Sequence, residues 1–345
     1  MKRAWFMFFV GLVIMGLAAL SFVSIVAKKV YDFGPLTERK QVIIESGMTL
    51  RQVGKKLEEE GVINNQEFFV LAVRLFYNKP VRAGEYSFPR QASMKTVMRI
   101  LIQGDKYLRR LTVPEGLTSY QVVQLVNGTD GLTGEIVKIP PNGTLLPETY
   151  YFSYGDSRDL IIARMQRAMD DTLSQLWPDR DLLIPLSSPE QAVILASLIE
   201  KETSIPEERA HIASVFYNRL AQGIKLQSDP TVIYALSNGT GILDRKLTSK
   251  DLKTDHPCNT YVIKGLPVEP IANPGKEALQ AALHPLITED LFFVANGTGG
   301  HTFATDYKDH LTNTRQWRLY KKAIQPPTKP EHLQDHASQD DSQQP

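Results

Sequence analysis

The chain has 345 residues, 42% of them hydrophobic and 22% charged, an ordinary globular composition long enough for one large domain or two modest ones. Lys2, Arg3, Lys28 and Lys29 fall in the first 29 residues with no acid among them, so beneath a formal charge of +1 the remainder is net acidic and offers nucleic acid no basic footprint. The single Cys258 excludes an intramolecular disulfide, no Cys and His spacing suggests a zinc site, and "NGTGG" around Gly297 lacks the Lys and Ser or Thr of a phosphate-binding P-loop.

From Ala4 to Ala27 runs an uncharged, mostly apolar stretch of 24 residues. At 1.5 Å per residue such a run crosses a hydrocarbon core of about 30 Å, which predicts a short cytoplasmic tail (1–4) and one transmembrane helix (5–27). The alternative is a cleaved signal peptide, whose apolar core runs about 7–15 residues. This stretch stays apolar through Phe22, Val23, Ile25 and Val26 and so reads as an uncleaved anchor. Cations flank both ends and give little direction; a long domain behind a short tail favours Met1 inside and the bulk exported. Residues 28–41, "KKVYDFGPLTERKQ", read as a polar linker of 14 residues spanning at most about 50 Å.

An internal echo follows. "IIESGMTLRQV" (43–53) and "TVPEGLTSYQV" (112–122) place Gly47 over Gly116, Thr49 over Thr118, Gln52 over Gln121 and Val53 over Val122. The shared plan is strand, glycine turn, capped helix, although such units also recur by chance. In the first copy Val42 and Ile44 alternate into a strand, Thr49 caps a helix carrying Leu50, Val53 and Leu57, and Gly61 ends it. Helices over 66–77 and 94–103 complete a small α+β module. Further on, "GTLLPETYYFSYGDS" (143–157) reads as an irregular loop whose tyrosines either stack on sugars or pack.

Ser188, Pro189 and Gln191 announce a helix with a capping box. Ala192 to Ile199 leave it almost no polar face, so it is predicted to be buried nearly all round, ending at "EKET" (200–203). A second, amphipathic helix opens near Ser204 and Pro206 and runs to Gly223. Glu200 then lies at the mouth between two helices, where low dielectric and the negative end of a helix dipole both disfavour ionisation. That suits a general acid held protonated near neutral pH; an ion pair with Lys201 or Arg219 is the alternative.

"SLIEKET", "IASVFYNRL", "GIKLQSDPTVIYAL", "CNTYVIKGLP", "PIANPG", "ALHP" and "FFVANGTGGHTF" occur in this order and resemble the endolytic murein transglycosylases of the MltG, or YceG-like, family. The resemblance spans roughly Leu111 to Tyr320. It implies an α+β protein in which the anchor carries a small LysM-like α+β subdomain (42–107) and then a larger catalytic domain (108–324). It implies Glu200, the first acid of E-K-E-T, as the catalytic residue, with no metal and no cofactor. Asn218, Gln227, Ser228, Asp229, Asn259, Tyr261, Asn273 and His301 are the candidates for substrate contact, each equally able to serve a turn or the core. Two departures stand out: "QSD" where Q-T-D is commoner, which keeps the hydroxyl at Ser228, and Cys258 where a tyrosine is common, which removes an aromatic surface from a subsite.

The chemistry implied is cleavage between N-acetylmuramic acid and N-acetylglucosamine, with the muramic 6-hydroxyl as nucleophile and a 1,6-anhydro end as product. One carboxyl serves as acid and then base. A hydrolytic muramidase would recruit a second carboxylate, for which Asp229 is the candidate. A noncatalytic glycan-binding tether is the rival from another class. Expected partners are peptidoglycan strands, the membrane, and peptidoglycan synthases or penicillin-binding proteins. The polar, proline-rich tail 325–345 is predicted to be disordered.

Overall fold

The computed structural model describes residues 2–77 and 79–324, apart from the side chains of 2–4, 6, 8, 18, 19, 22 and 324; the tail 325–345 lies outside the described residues. The fold is mixed α+β, and the chain forms two compact units. The first comprises Met1–Val113, Val122–Ile139 and Glu148–Met165; the second comprises Pro114–Gln121, Pro140–Pro147 and the chain from Gln166 onward.

The first unit opens with α1 (Lys2–Tyr31). Among the described residues no helix is long and apolar enough to cross a membrane. Antiparallel strands β1 (Lys40–Ile44) and β2 (Gly84–Phe88) pair Val42 with Tyr86, and α2 (Leu50–Glu59), α3 (Gln66–Phe76) and α4 (Met94–Gln103) cover them. Val42, Ile44, Leu57, Phe69, Tyr86, Phe88 and Leu101 fill the core. Strand β3 (Leu108–Thr112) pairs with β4 (Thr149–Ser153). The two ladders are tied by Arg109, whose Nε donates to the buried Glu85 carboxylate at 2.7 Å.

The echo recurs in three dimensions. Thr49 and Gln52 form a reciprocal capping box on α2, and Thr118 and Gln121 repeat it at the start of α5 (Ser119–Asn127). Gly47 and Gly116 take φ of 85° and 75°, the left-handed region where a side chain strains the turn.

Three expectations change. Residues 28–41 are packed rather than extended: Val30 and Leu36 are buried in the core, Gly34 donates to the Gln91 carbonyl, and the Gln91 N–H donates to the Leu36 carbonyl. The segment 143–157 contains a strand, β4, because its apolar residues alternate: Tyr150 and Phe152 face inward while Tyr151 is exposed. Ser188 precedes the buried helix α7 (Pro189–Glu202) but makes no side-chain cap; Gln191 instead accepts from the Ser187 N–H and hydroxyl.

The second unit is built around α7. Its residues Ala192 to Ile199 are all buried, against α8 (Pro206–Ala221), α10 (Lys276–Leu283) and the second half of α6 (Arg158–Leu176). A helix buried on every side can expose function only at its end. There, helix α9 (Asp229–Leu236) and the antiparallel hairpin β5 (Phe292–Ala295) and β6 (His301–Ala304) complete the surroundings, with α11 (Tyr307–Ile324) beside the hairpin.

Candidate active site

The last turn of α7 carries two carboxylates. Two positions along an α-helix is a rotation of about 200°, so Glu200 and Glu202 leave α7 on opposite sides. Each meets a different set of partners.

Glu200 enters an ion cluster. Its Oε2 accepts the Gly275 N–H at 2.8 Å, and its Oε1 lies 3.5 Å from Nη2 of Arg209. The same Nη2 donates to Glu115 at 3.0 Å, and Nη1 stands 3.6 Å from Glu277. Burial pushes the Glu200 carboxyl up; the Gly275 N–H and Arg209 oppose this. Glu115 is also pushed up, by burial and then by the Glu200 charge. A Cβ at Gly275 would lie 1.8 Å from the Glu115 carboxylate, so a side chain there would displace Glu115. The ion-pair partner is therefore Arg209, one helix on, rather than Lys201 or Arg219. Lys201 donates to the Gly116 carbonyl, and Arg219 donates to the carbonyls of Leu291, Lys225 and Leu226.

Glu202 opens onto space. It lines a cavity of about 270 Å³ together with Thr203, Ser204, Ala295, Gly297, Gly299, Gly300, His301 and Trp317. Its Oε1 accepts a short hydrogen bond from the Ser228 hydroxyl. Burial pushes its carboxyl up; the Ser228 bond opposes, the Asp229 charge reinforces, and His301 and Arg219 oppose again.

Local geometry explains how Ser228 arrives. Arg219 holds the carbonyls of 225 and 226, and Gln227, exposed, takes φ of 54°, a left-handed turn uncommon for a residue with a side chain. That turn brings Ser228 to the start of α9, where its N–H donates to Thr260 Oγ1 at 2.9 Å. Asp229 accepts from the Tyr261 hydroxyl at 2.6 Å, and burial together with that bond pushes the Tyr261 phenol up. His301 is fixed by Glu208, which lies 2.7 Å from Nδ1 and accepts its N–H at 2.8 Å. Burial pushes Glu208 up, but the His301 contacts outweigh it and hold the carboxyl below its ordinary value.

Of the predicted contact residues, Ser228, Asp229 and His301 gather around Glu202; Tyr261 joins through Asp229, and Gln227 borders them. Three stand elsewhere. Asn218 donates to the carbonyls of Thr288 and Asp290. Asn259 is fully buried and donates to Leu252 and Thr254. Asn273, also fully buried, bonds Leu117, Ser119 and Leu145, locking the loops 114–121 and 140–147 against 270–275. Cys258 is a core residue rather than a subsite surface; burial pushes its thiol up to about 11. Glu202, Glu208 and Trp317 escape a reading of the sequence. Helical phase could have flagged Glu202, because a carboxylate two residues from Glu200 samples the opposite face of the same buried helix. Among the described residues no cluster of His, Cys, Asp and Glu could hold a metal ion.

Glu202 is thus a cavity-facing glutamate at the end of an apolar helix, held by the Ser228 hydroxyl at the start of a second helix and flanked by His301. The model of the YceG-like family matches residues 42–316. The chain belongs to that family. An endolytic murein transglycosylase of Bacillus subtilis (strain 168) is 30% identical over 303 residues, covering 77% of this chain and 81% of that protein. One from Streptococcus pneumoniae serotype 2 (strain D39) is 27% identical over 320 residues, covering 79% of this chain and 57% of that longer protein. The crystal structure of a yceG-like protein from Listeria monocytogenes superposes with a TM-score of 0.50 at 31% identity, over 80% of this chain and 99% of that one.

Proposed function

We propose that this YceG-like protein is an endolytic murein transglycosylase whose acid and base is Glu202. The relatives bearing that name support the activity. The observation that carries the residue is that Glu202 faces a cavity into which His301 also projects, while Glu200 is enclosed by Arg209, Glu115 and Gly275. An acid must reach its substrate, and Glu202 lines that cavity.

The reaction follows from those contacts. Glu202, kept protonated by burial, donates its proton to the oxygen bridging N-acetylmuramic acid and N-acetylglucosamine. The anomeric C–O bond breaks and its electron pair leaves with the N-acetylglucosamine oxygen. The muramic 6-hydroxyl then attacks the anomeric carbon, and its proton passes to the Glu202 carboxylate, which restores the acid. Ser228 occupies Oε1 and leaves Oε2 for both transfers. His301 and Arg219 favour the carboxylate that forms between them.

The second reading keeps Glu200 as the acid, and its burial and raised carboxyl favour it. Glu202→Gln and Glu200→Gln separate the two. With isolated glycan strands, Glu202→Gln should lose about 10²–10⁴-fold in turnover, while Glu200→Gln keeps most of it. The reverse ranking makes Glu200 the acid; full activity in both rejects both acids, and no cleavage by the parent leaves the noncatalytic tether.

The setting is proposed with the chemistry. The uncharged run 4–27, carried by α1 with Trp5, Leu12, Ile14, Leu17 and Leu20 exposed, supports a single span in the cytoplasmic membrane with the chain after Lys29 outside and Met1 inside. The strand-turn-helix echo supports a LysM-like, glycan-binding role for the first unit. Cleavage near the membrane would meet new strands beside the synthases that make them and set strand length. A reporter active only outside the membrane, fused after Tyr320, should work; activity only in the cytoplasm rejects this topology.

A further inference from the structure

The first unit carries an apolar groove beside α1 of about 660 Å³. Val23, Val26, Ala27 and Val30 of α1 form one wall, and Leu75 and Phe76, at the end of α3, form another. Val26 and Val30 also reach into the core of this unit, so α1 and the groove move as one body.

The outer face of α3 breaks the usual pattern of a surface helix. Its inner residues Phe69, Ala72 and Val73 are buried in the core, yet the opposite side holds Leu71 and Leu75, 40% and 61% exposed, beside Glu67 and Arg74, and Phe76, on the inner face at the helix end, is 58% exposed. Leu71, Leu75 and Phe76 leave an exposed apolar patch toward the C-terminal end of α3. Cations border this patch: Arg74 precedes Leu75 on α3, and Lys95 lines the groove and lies over the Tyr31 ring at 4.5 Å. Glu67, one turn from Leu71 on the same face, stands 3.9 Å from Arg51.

The register along α1 fixes the depth of this face. The uncharged run ends at Ala27, and the end of α3 lines the same groove as Val23 and Ala27. At 1.5 Å per residue, Val23 lies about 7 Å below Lys28 along the helix axis. An interfacial apolar face sits about 5–10 Å into the boundary between headgroups and acyl chains, so the two depths agree.

We propose that Leu71, Leu75 and Phe76 dock the first unit into the outer face of the phospholipid bilayer, with acyl chains filling the groove and anionic headgroups meeting the lysine and arginine rim. The anchor is then a rigid stem with a shallow second foot, which fixes the height and tilt of the first unit over the membrane. This inference rests on the reading of α1 as a membrane span.

Depth-dependent quenching tests both separately. The full chain is placed in vesicles of zwitterionic and anionic phospholipid, with Cys258 buried and one thiol introduced for a fluorescent label at Leu75→Cys, at Leu12→Cys on α1, or at the exposed Glu59→Cys on α2. Lipids brominated near the headgroup should quench the Leu75 label most, lipids brominated deep in the chain should quench the Leu12 label, and neither should quench the Glu59 label. If the Leu12 label is quenched and the Leu75 label is not, docking is wrong and the span stands. If neither is quenched, the span itself fails and docking with it. Energy transfer between Leu75 labels on different chains, without lipid quenching, assigns the face to a second copy and overturns the proposal.

Discussion

Ser228 donates its hydroxyl to Glu202 across the gap between α9 and α7, and this bond opposes the upward push that burial exerts on the Glu202 carboxyl. The donor comes from a turn held by Arg219 and by the left-handed Gln227, so the tuning of the acid is built by residues that need not touch substrate. Backbone strain at a functional site of this kind costs on the order of 1–3 kcal/mol and persists only where the surroundings impose it.

The first prediction concerns that bond. Ser228→Ala removes an interaction that lowers the Glu202 carboxyl, so Glu202 should hold its proton to higher pH. The alkaline limb of the kcat/KM profile, where the acid is lost, should move upward, while Ser228→Thr, which keeps the hydroxyl, should restore the parent profile. An unchanged limb in the alanine variant would remove Ser228 from any role in tuning the acid.

A second prediction addresses the cluster on the other face. Arg209 and Glu200 have side chains only 7% and 5% exposed, so Arg209→Met leaves Glu200 a buried, uncompensated charge. Removing one partner of such a pair costs about 3–5 kcal/mol, and the double variant with Glu200→Gln should recover much of it. Denaturant unfolding of the two variants measures this. If the single and double variants are equally unstable, the loss belongs to Glu115 or to the packing of the Arg209 stem.

Much of this architecture was legible in the sequence. Alternation at Val42 and Ile44, the Thr49 cap, and the unbroken apolar run Ala192 to Ile199 each depend on local chemistry, and each formed as read. The choice between Glu200 and Glu202 was not legible. Both end the same buried helix, and what separates them comes from residues far along the chain: Gly275 and Arg209 on one side, Ser228 and His301 on the other. The polar segment after Lys28 misled for a similar reason, since Val30 and Leu36 are isolated apolar residues whose burial depends on contacts such as that between Leu36 and Gln91. The polarity of "PETYYFS" concealed a strand because every second residue of β4 does face solvent or the surface.

The third prediction is a stability slope. Burial raises the Glu202 carboxyl above its ordinary value of 4.5, so the folded chain binds that proton more tightly than the unfolded chain does. The resulting stabilisation is complete below the unfolded value and is lost as pH rises through the raised folded value. Thermal unfolding of the parent should therefore weaken over that window relative to Glu202→Gln, which has no proton to lose. Parallel curves for the two proteins would show that Glu202 ionises as freely in the folded state as in the unfolded chain.

The last prediction separates transglycosylation from hydrolysis through Asp229. Its carboxylate accepts the Tyr261 hydroxyl at 2.6 Å, and its charge raises Glu202 from the neighbouring position. A muramidase would need Asp229 to activate water or to form a covalent intermediate, so Asp229→Asn should then cost as much as Glu202→Gln, and the earliest fragments should carry reducing ends. In the single-acid mechanism the nucleophile is the substrate's own 6-hydroxyl, and Asp229 acts only by position and charge. Asp229→Asn should then cut at a reduced rate with an unchanged product, fragments ending in anhydro sugar and lighter by one water than hydrolytic ones. Removing its charge should also let Glu202 ionise more easily, moving the alkaline limb downward, opposite to the shift in Ser228→Ala. Mass analysis of the first fragments and the two pH profiles together decide the matter, and reducing ends in the parent's earliest products would reject the single-acid mechanism whatever the profiles show.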